Sequence, residues 1–443
     1  MSAHITRLFA AMMAVLVTVL PARAEVEITE VVSPGGITAW LVQEPSIPFM
    51  ALELRFRGGA SLDAPGKRGA INLMTGLLEE GAGDLDARAF ARELESLAAS
   101  FEYDIGDDSL SVSARFLSEN RTEAVELLRQ SIIEPTFGDV ALERVREQVL
   151  TGLRSDAKDP DEIARAAFDA MAYGDHPYAT TYRGTIDSVS ALTRDDMIAA
   201  HRAVFAKDRL YVGAVGDITP EELGPLLDEL LGALPETGAP QPGPAEILIE
   251  GGTTVVPFDT PQSVAIFGQR GIEQDDPDFF AARVLNQVLG AGGFESRLMT
   301  EVREKRGLTY GVYSFLVPMD HAATLQGQVA SANDRIGEAV SVIRDEWARA
   351  AAEGVTQAEL DAAKTYVTGA YPLRFDGNGP IARIMVGMQM LGLPIDYIAT
   401  RNDKVEAVTL EDVKRVAGEL LDPEGLHFVV VGQPEGLEST VAN

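Results

Sequence analysis

The sequence predicts an α+β chain of two homologous domains, each a mostly antiparallel sheet with helices packed on one face. Three observations carry this: a repeat spaced by about half the chain, a proline-rich break between the copies, and apolar strands alternating irregularly with long helices. The repeat is read from ALTRDDMIAAHRAVFAKDRLYVGAVGDIT, starting at Ala191, and AVTLEDVKRVAGELLDPEGLHFVVVGQPE, starting at Ala407. Both run Ala-x-Thr-x-x-Asp into an amphipathic helix and then an apolar strand ending at a glycine, Gly216 or Gly432, so both ends give an offset of 216. A second pair, Val149–Leu153 (VLTGL) and Tyr366–Ala370 (YVTGA), closes two further helices at an offset of 217.

In chain order, residues 1–24 read as a secretory signal peptide: Arg7, the apolar run Leu8–Leu20, and the small-x-small site Ala22-Arg23-Ala24. The run is short for a membrane span and no second one follows, so no membrane anchor is expected and the mature chain is expected in the periplasm or otherwise exported. The first domain is then 25–234, with strands at Ala51–Phe56, Ser109–Phe116 and Leu210–Val215. Pro235–Pro244, PETGAPQPGP, holds four prolines and two glycines and can form neither a helix nor a central strand, so residues 235–245 read as a linker. The second domain is 246–443, with strands at Glu246–Ile249, Ser263–Phe267, Thr309–Leu316 and His427–Val431.

Composition narrows the function classes. Removing the leader leaves 35 basic against 68 acidic residues and moves the formal net charge from −31 to −33, which argues against nucleic acid as a partner. The absence of cysteine excludes thiol catalysis, thiolate metal sites and disulfides. The histidines beyond the leader, His176, His201, His321 and His427, are far apart and form no His-x-x-x-His pair, so each reads as structural. Glu79 and Glu80 are adjacent and diverge by about 100° on a helix, which makes them a poor chelating pair and a candidate solvated helix end.

The chemistry concentrates in Ser296–Phe315, SRLMTEVREKRGLTYGVYSF. Leu298, Met299 and Val302 recur at helical spacing, Gly307 sits where that helix stops, and the alternation after it reads as a strand. Arg303 is expected in the last helical turn and Tyr310 early in the strand, two places a tight connection brings together. Upstream, Gly290, Gly292 and Gly293 read as a flexible loop before Ser296. It lacks the lysine and spacing of a phosphate-binding loop, and Ser296 has no nucleophile-elbow context.

These features together resemble the pitrilysin/insulinase family of zinc peptidases, the inverzincins, in the branch of mitochondrial processing peptidase subunits and small bacterial heterodimers. The resemblance covers nearly all of the mature chain. It rests on Arg57-Gly58-Gly59-Ala60 through Glu80-Gly81, on GDHPYATTYRGT from Gly174, on the Thr-x-x-Asp helices, and above all on Arg303 seven residues before Tyr310. The family's motif is H-x-x-E-H, two histidines and a distant glutamate holding zinc while the motif glutamate activates water. The matching positions here are Asn72, Thr75 and Gly76, with Gly152 at the distant ligand.

The resemblance therefore implies the non-catalytic subunit of a heterodimeric zinc endopeptidase. Such a chain has no cofactor of its own, and the zinc sits in a homologous partner. Arg303 and Tyr310 would serve that partner's site by holding the peptide and stabilising the oxyanion. Gly290, Gly292, Gly293 and Ser296, with the nearby strand edge, would hold an extended peptide substrate. The competing expectation is an inactive peptide-binding or scaffold homologue with no peptidase partner.

Overall fold

A computed structural model describes residues 26–440; the signal-peptide reading of residues 1–24 lies outside them. The first half contributes β1 (Thr29–Val32), β2 (Thr38–Gln43), β3 (Phe49–Arg57), β4 (Ser100–Ile105), β5 (Ser109–Leu117) and β6 (Leu210–Gly216). They form a six-stranded sheet in the order β1-β2-β6-β3-β5-β4. Its helices include α1 (Ala70–Thr75), α2 (Arg121–Ile133), α3 (Asp139–Asp156), α4 (Pro160–Tyr173) and α5 (Arg194–Val204).

The second half repeats this plan with β7 (Gly252–Pro257), β8 (Gln262–Arg270), β9 (Val312–Pro318), β10 (Ala323–Ala332) and β11 (His427–Gly432), ordered β9-β10-β8-β11-β7. Its helices include α6 (Phe279–Asn286), α7 (Ile336–Glu353), α8 (Gln357–Gly369), α9 (Asn378–Met390) and α10 (Leu410–Leu420). Without β1, the first sheet reads β2-β6-β3-β5-β4, which is the second sheet read backwards. In both, the returning strand pairs parallel to the first, β6 with β2 and β11 with β7, while the other neighbours are antiparallel.

Local chemistry explains the repeat. Thr193 and Thr409 cap α5 and α10 in reciprocal boxes with Asp196 and Asp412, each satisfying an otherwise orphaned helix N–H. The strands that follow end at Gly216 and Gly432, whose φ of 142° and 151° only glycine adopts freely. A Cβ at Gly216 would lie 2.3 Å from the Phe49 carbonyl.

One face of each sheet carries its own half's helices. Met50, Leu52, Leu54 and Phe56 of β3 join the first core, and Ala265 and Phe267 of β8 the second. The far face of each sheet receives a helix from the opposite half. Ala164, Phe168 and Ala172 of α4 pack on Val264 and Ile266 of β8 and Val429 and Val431 of β11. Reciprocally, Ala382, Met385 and Met388 of α9 pack on Trp40 of β2 and Val215 of β6. Two strand glycines permit the close approach: a Cβ at Gly268 would meet the Phe168 ring at 2.6 Å, and one at Gly213 the Ala382 carbonyl at 2.7 Å.

Three sequence expectations change. Glu246–Ile249 is not a strand; residues 241–250 have no regular structure. The prolines before it withhold backbone donors, and the chain instead ties Ala245 N–H to His321 O (2.8 Å) and Leu248 N–H to Ala172 O (2.9 Å), while Ile247 packs beneath α4. The strand expected from Thr309 begins at Val312, which leaves Tyr310 in a bend before it. Gly290 is not in a loop: it closes a helical turn against β9, where a Cβ would lie 2.2 Å from Ser314 Oγ.

Candidate functional site: a dismantled metal helix and an arginine–tyrosine pocket

The segment corresponding to the zinc helix is intact as architecture. Asp63 accepts hydrogen bonds from the N–H groups of Gly69 (2.8 Å) and Ile71 (2.9 Å) and so anchors the start of α1. Burial still pushes the Asp63 carboxyl up to about 6. Along α1, Asn72 is half-buried, and Thr75 is buried with its hydroxyl committed to Ile71 O at 2.8 Å. Gly76 follows as the cap, where even a Cβ would stand 3.0 Å from Val145 Cγ1 of α3.

On α3, Gly152 faces the Arg183 guanidinium, whose Nη1 lies 3.8 Å from the position of a Cβ there. Arg183 is held by Asp156 at 2.9 Å. Zinc does not fit this set: an amide, a committed hydroxyl, two glycines and a neighbouring cation offer neither three ligands nor a base. Among the described residues, no group of three or more His, Asp or Glu side chains is placed to hold a metal ion.

Three of the four histidines have hydrogen-bonded structural partners, whereas His321 Nε2 is buried without one. His201 Nε2 meets Ile132 O at 2.7 Å, and His427 is sealed between Glu250 O (2.7 Å) and Thr254 Oγ1 (3.0 Å). His176 Nδ1 accepts from Tyr178 N–H, and its ring lies 5.8 Å from His321, a proximity that a separation of 145 positions hides in the sequence. The Glu79–Glu80 pair is less solvated than its spacing implies. Glu80 pairs with Arg144, while burial and then the Glu80 charge push Glu79 up to about 6.

The second-half stretch is built from the sequence upward. Leu298, Met299 and Val302 are buried, and the helical turn Met299–Glu304 ends at Gly307 with φ 61°. Leu308 then returns to the core, and Thr309 Oγ1 lies between the carbonyls of Gly311 (2.8 Å) and Ala330 (2.6 Å), its single O–H shared between these acceptors. Tyr310 is thereby pushed outward between two anchors and is 88% exposed. Arg303 lies over the Phe294 ring, 4.6 Å from its centroid. Arg303 and Tyr310 line one surface pocket of about 600 Å³ with Gln262, Ala330 and Arg335.

The remaining expected residues divide. Gly292 and Gly293 form a half-buried connection, and Gly293 adopts φ 58° with nothing near the position of a Cβ. Gly290 and Ser296 are interior. The Ser296 hydroxyl donates to Gly293 O at 2.9 Å and accepts from Met299 N–H, starting the next helical turn rather than facing a ligand. Sequence reasoning missed Phe294, Arg335 and Arg183, since neither an isolated aromatic nor an isolated arginine carries spacing information. β9 is one of the two terminal strands of the second sheet, and its Tyr313 and Phe315 are exposed.

A duplicated α+β unit in which one copy retains the helix pair of a metal site without its ligands defines a catalytically inactive homologue of a two-domain metallopeptidase. The comparisons agree: residues 39–186 match the insulinase family, peptidase M16, and residues 191–367 match the M16 inactive domain, so the chain belongs to that family. It is 28% identical over 390 residues to the non-peptidase homologue YmxG of Helicobacter pylori, covering 87% of this chain and 89% of that protein. An uncharacterized zinc protease of Mycobacterium leprae is 26% identical, covering 88% of each chain. The solved structure of a peptidase M16 inactive domain from Pseudomonas fluorescens superposes with a TM-score of 0.86 at 29% identity, covering 94% of this chain and all of the other.

Proposed function

We propose that this chain is the non-catalytic subunit of an exported heterodimeric zinc endopeptidase, lending Arg303 and Tyr310 to a homologous, zinc-bearing partner. The observation that carries the reading is the shared pocket: all four motif positions are lost, yet Arg303 and Tyr310 line one cavity and the phenol projects into solvent. A side chain that only packs has no reason to be presented this way. A guanidinium and a phenol can hold a peptide carbonyl and stabilise the negative charge that develops on its oxygen during hydrolysis, for which a partner's zinc would supply the activated water. The edge strand β9, with exposed Tyr313 and Phe315, supports a peptide adding as a further strand.

The test is reconstitution of this chain with a homologue that keeps H-x-x-E-H. A 1:1 complex by light scattering, with peptide cleavage that neither chain shows alone, is the expected result; separate elution at micromolar concentration removes the heterodimer. A second reading, an inactive peptide-binding homologue without a peptidase partner, is favoured by the same β9 edge and its aromatics, which need no partner to hold an extended chain. Peptide binding by the isolated chain, without assembly, selects it.

A further inference from the structure

A second cluster of arginines lies in the second half, outside the lining of the Arg303 pocket. Arg283 is on α6, Tyr371 and Arg374 are in the turn that follows α8, and Tyr397 and Arg401 are on the helix Tyr397–Ala407. These elements are in contact: α6 packs against both α8 and the Tyr397–Ala407 helix, and the turn Pro372–Phe375 packs against α8. Arg401 is buried and fixed in place. Its Nη1 donates to Val367 O (3.0 Å) and Asn402 Oδ1 (2.9 Å), and its guanidinium lies 4.5 Å from the centre of the Tyr371 ring. Lys404 adds a fourth cation, 5.1 Å from the centre of the Tyr397 ring.

We propose that Arg283, Arg374 and Arg401, with the hydroxyls of Tyr371 and Tyr397, form a binding site for a multiply charged oxyanion of the phosphate type.

The anomaly is the missing carboxylate. The chain has 68 acidic residues against 37 basic ones, and most of its buried or half-buried arginines are neutralised, Arg68 by Asp107, Arg183 by Asp156 and Arg297 by Glu359 among them. Arg283 and Arg374 pair with no acid among the described residues, although both are open to solvent and free to turn towards one. Instead the packing of α6, α8, the turn Pro372–Phe375 and the Tyr397–Ala407 helix sets the three arginines on adjoining elements. Partial desolvation by the neighbouring protein atoms first, and then the like charge of Arg374, holds Arg283 below the ordinary arginine range, and burial and then Arg283 do the same to Arg401.

A fold that gathers like charges without a counter-ion is relieved by a ligand that brings one. Planar guanidinium forks suit a tetrahedral or chained oxyanion, whose several oxygens accept paired N–H groups. The phenols fit the same ligand. Burial raises both above the ordinary tyrosine range, so they stay protonated and can donate. The source of the oxyanion is either a free phosphate or polyphosphate or the phosphomonoester headgroup of a lipid.

The experiment titrates the mature chain, at constant ionic strength, with inorganic phosphate and pyrophosphate by calorimetry. Parallel samples are sedimented with phosphatidylcholine vesicles with or without phosphatidic acid. The expected result is saturable binding that weakens at least tenfold in the double variant Arg283→Ala/Arg374→Ala and is unchanged in Arg202→Ala, an exposed arginine elsewhere. Arg283 and Arg374 are at the surface, so melting temperatures within about 2 °C of wild type exclude misfolding. Binding to pyrophosphate without vesicle recruitment assigns a free oxyanion. Recruitment only to phosphatidic acid vesicles, lost in the double variant, assigns the headgroup. No binding in either arm, or binding that the double variant leaves intact, overturns the proposal.

Discussion

Tyr310 is the residue at which catalytic and packing roles part most cleanly. Its ring is outside the core, so Tyr310→Phe leaves folding and assembly intact and removes one donor. In the reconstituted complex, turnover is expected to fall about 10²–10³-fold at an unchanged melting temperature. Wild-type turnover would remove the assignment. Arg183 poses the converse question at the lost metal site. Grafting Asn72→His, Thr75→Glu, Gly76→His and Gly152→Glu restores the family's ligand types. The guanidinium beside position 152 would nevertheless pair with the new carboxylate, and Val145 crowds position 76. The expected outcome by metal analysis is well under one zinc per chain, rising when Arg183→Leu is added. Full occupancy with Arg183 in place would show that this cation is no obstacle.

Among the elements, the exchanged helices α4 and α9 carry the most consequence. Phe168 of α4 is buried against the second sheet, so Phe168→Ala should cost about 3–5 kcal/mol of stability in chemical denaturation; a cost under 1 kcal/mol would mean that the exchange contributes little. The same helix carries Asp169, which burial, then Asp107 and Glu162, push from the ordinary 3.8 up to about 7, with Arg165 opposing. Because the folded chain binds this proton more tightly than the unfolded one, the contribution to stability is full below about pH 4. It is lost as pH rises through 7. Asp169→Asn should therefore stabilise the protein at pH 8, on the order of 2 kcal/mol, with the gain vanishing near pH 4. An Asp169→Asn effect independent of pH would place the carboxylate in water.

At the scale of the whole molecule, the duplication and the exchange make the halves mutually dependent. Residues 26–240 expressed alone would leave the apolar side of α4 without a sheet, and would leave Trp40 and Val215 without α9. Neither half is expected to give a cooperative melting transition by itself, whereas the two co-expressed should assemble into one that melts cooperatively. A single half that folds with a sharp transition would contradict this. Further ties cross the junction. Tyr178 of the first half donates to Asp108 and accepts from the His321 N–H of the second at 3.2 Å, and Arg57 pairs with Asp320 at 3.2 Å.

The sequence by itself determined the fold class, because the Thr-x-x-Asp caps and the strand-ending glycines are local devices that repeat at a fixed offset. It determined the loss of the metal motif as well, since ligand chemistry is a matter of residue identity at set positions. It also placed Arg303 and Tyr310 near each other, through a helix stop at Gly307 and a short return. Only the tertiary structure decided that α4 and α9 cross between the halves. Amphipathic periodicity says that a helix buries one face but not against which sheet. Burial likewise decided that Gly290 and Ser296 are interior and that Glu246–Ile249 packs without pairing, because an apolar alternation serves a sheet or a helix surface equally well. The grouping of Arg283, Arg374 and Arg401 joins residues up to 118 positions apart, and no local pattern records which elements long-range packing sets side by side.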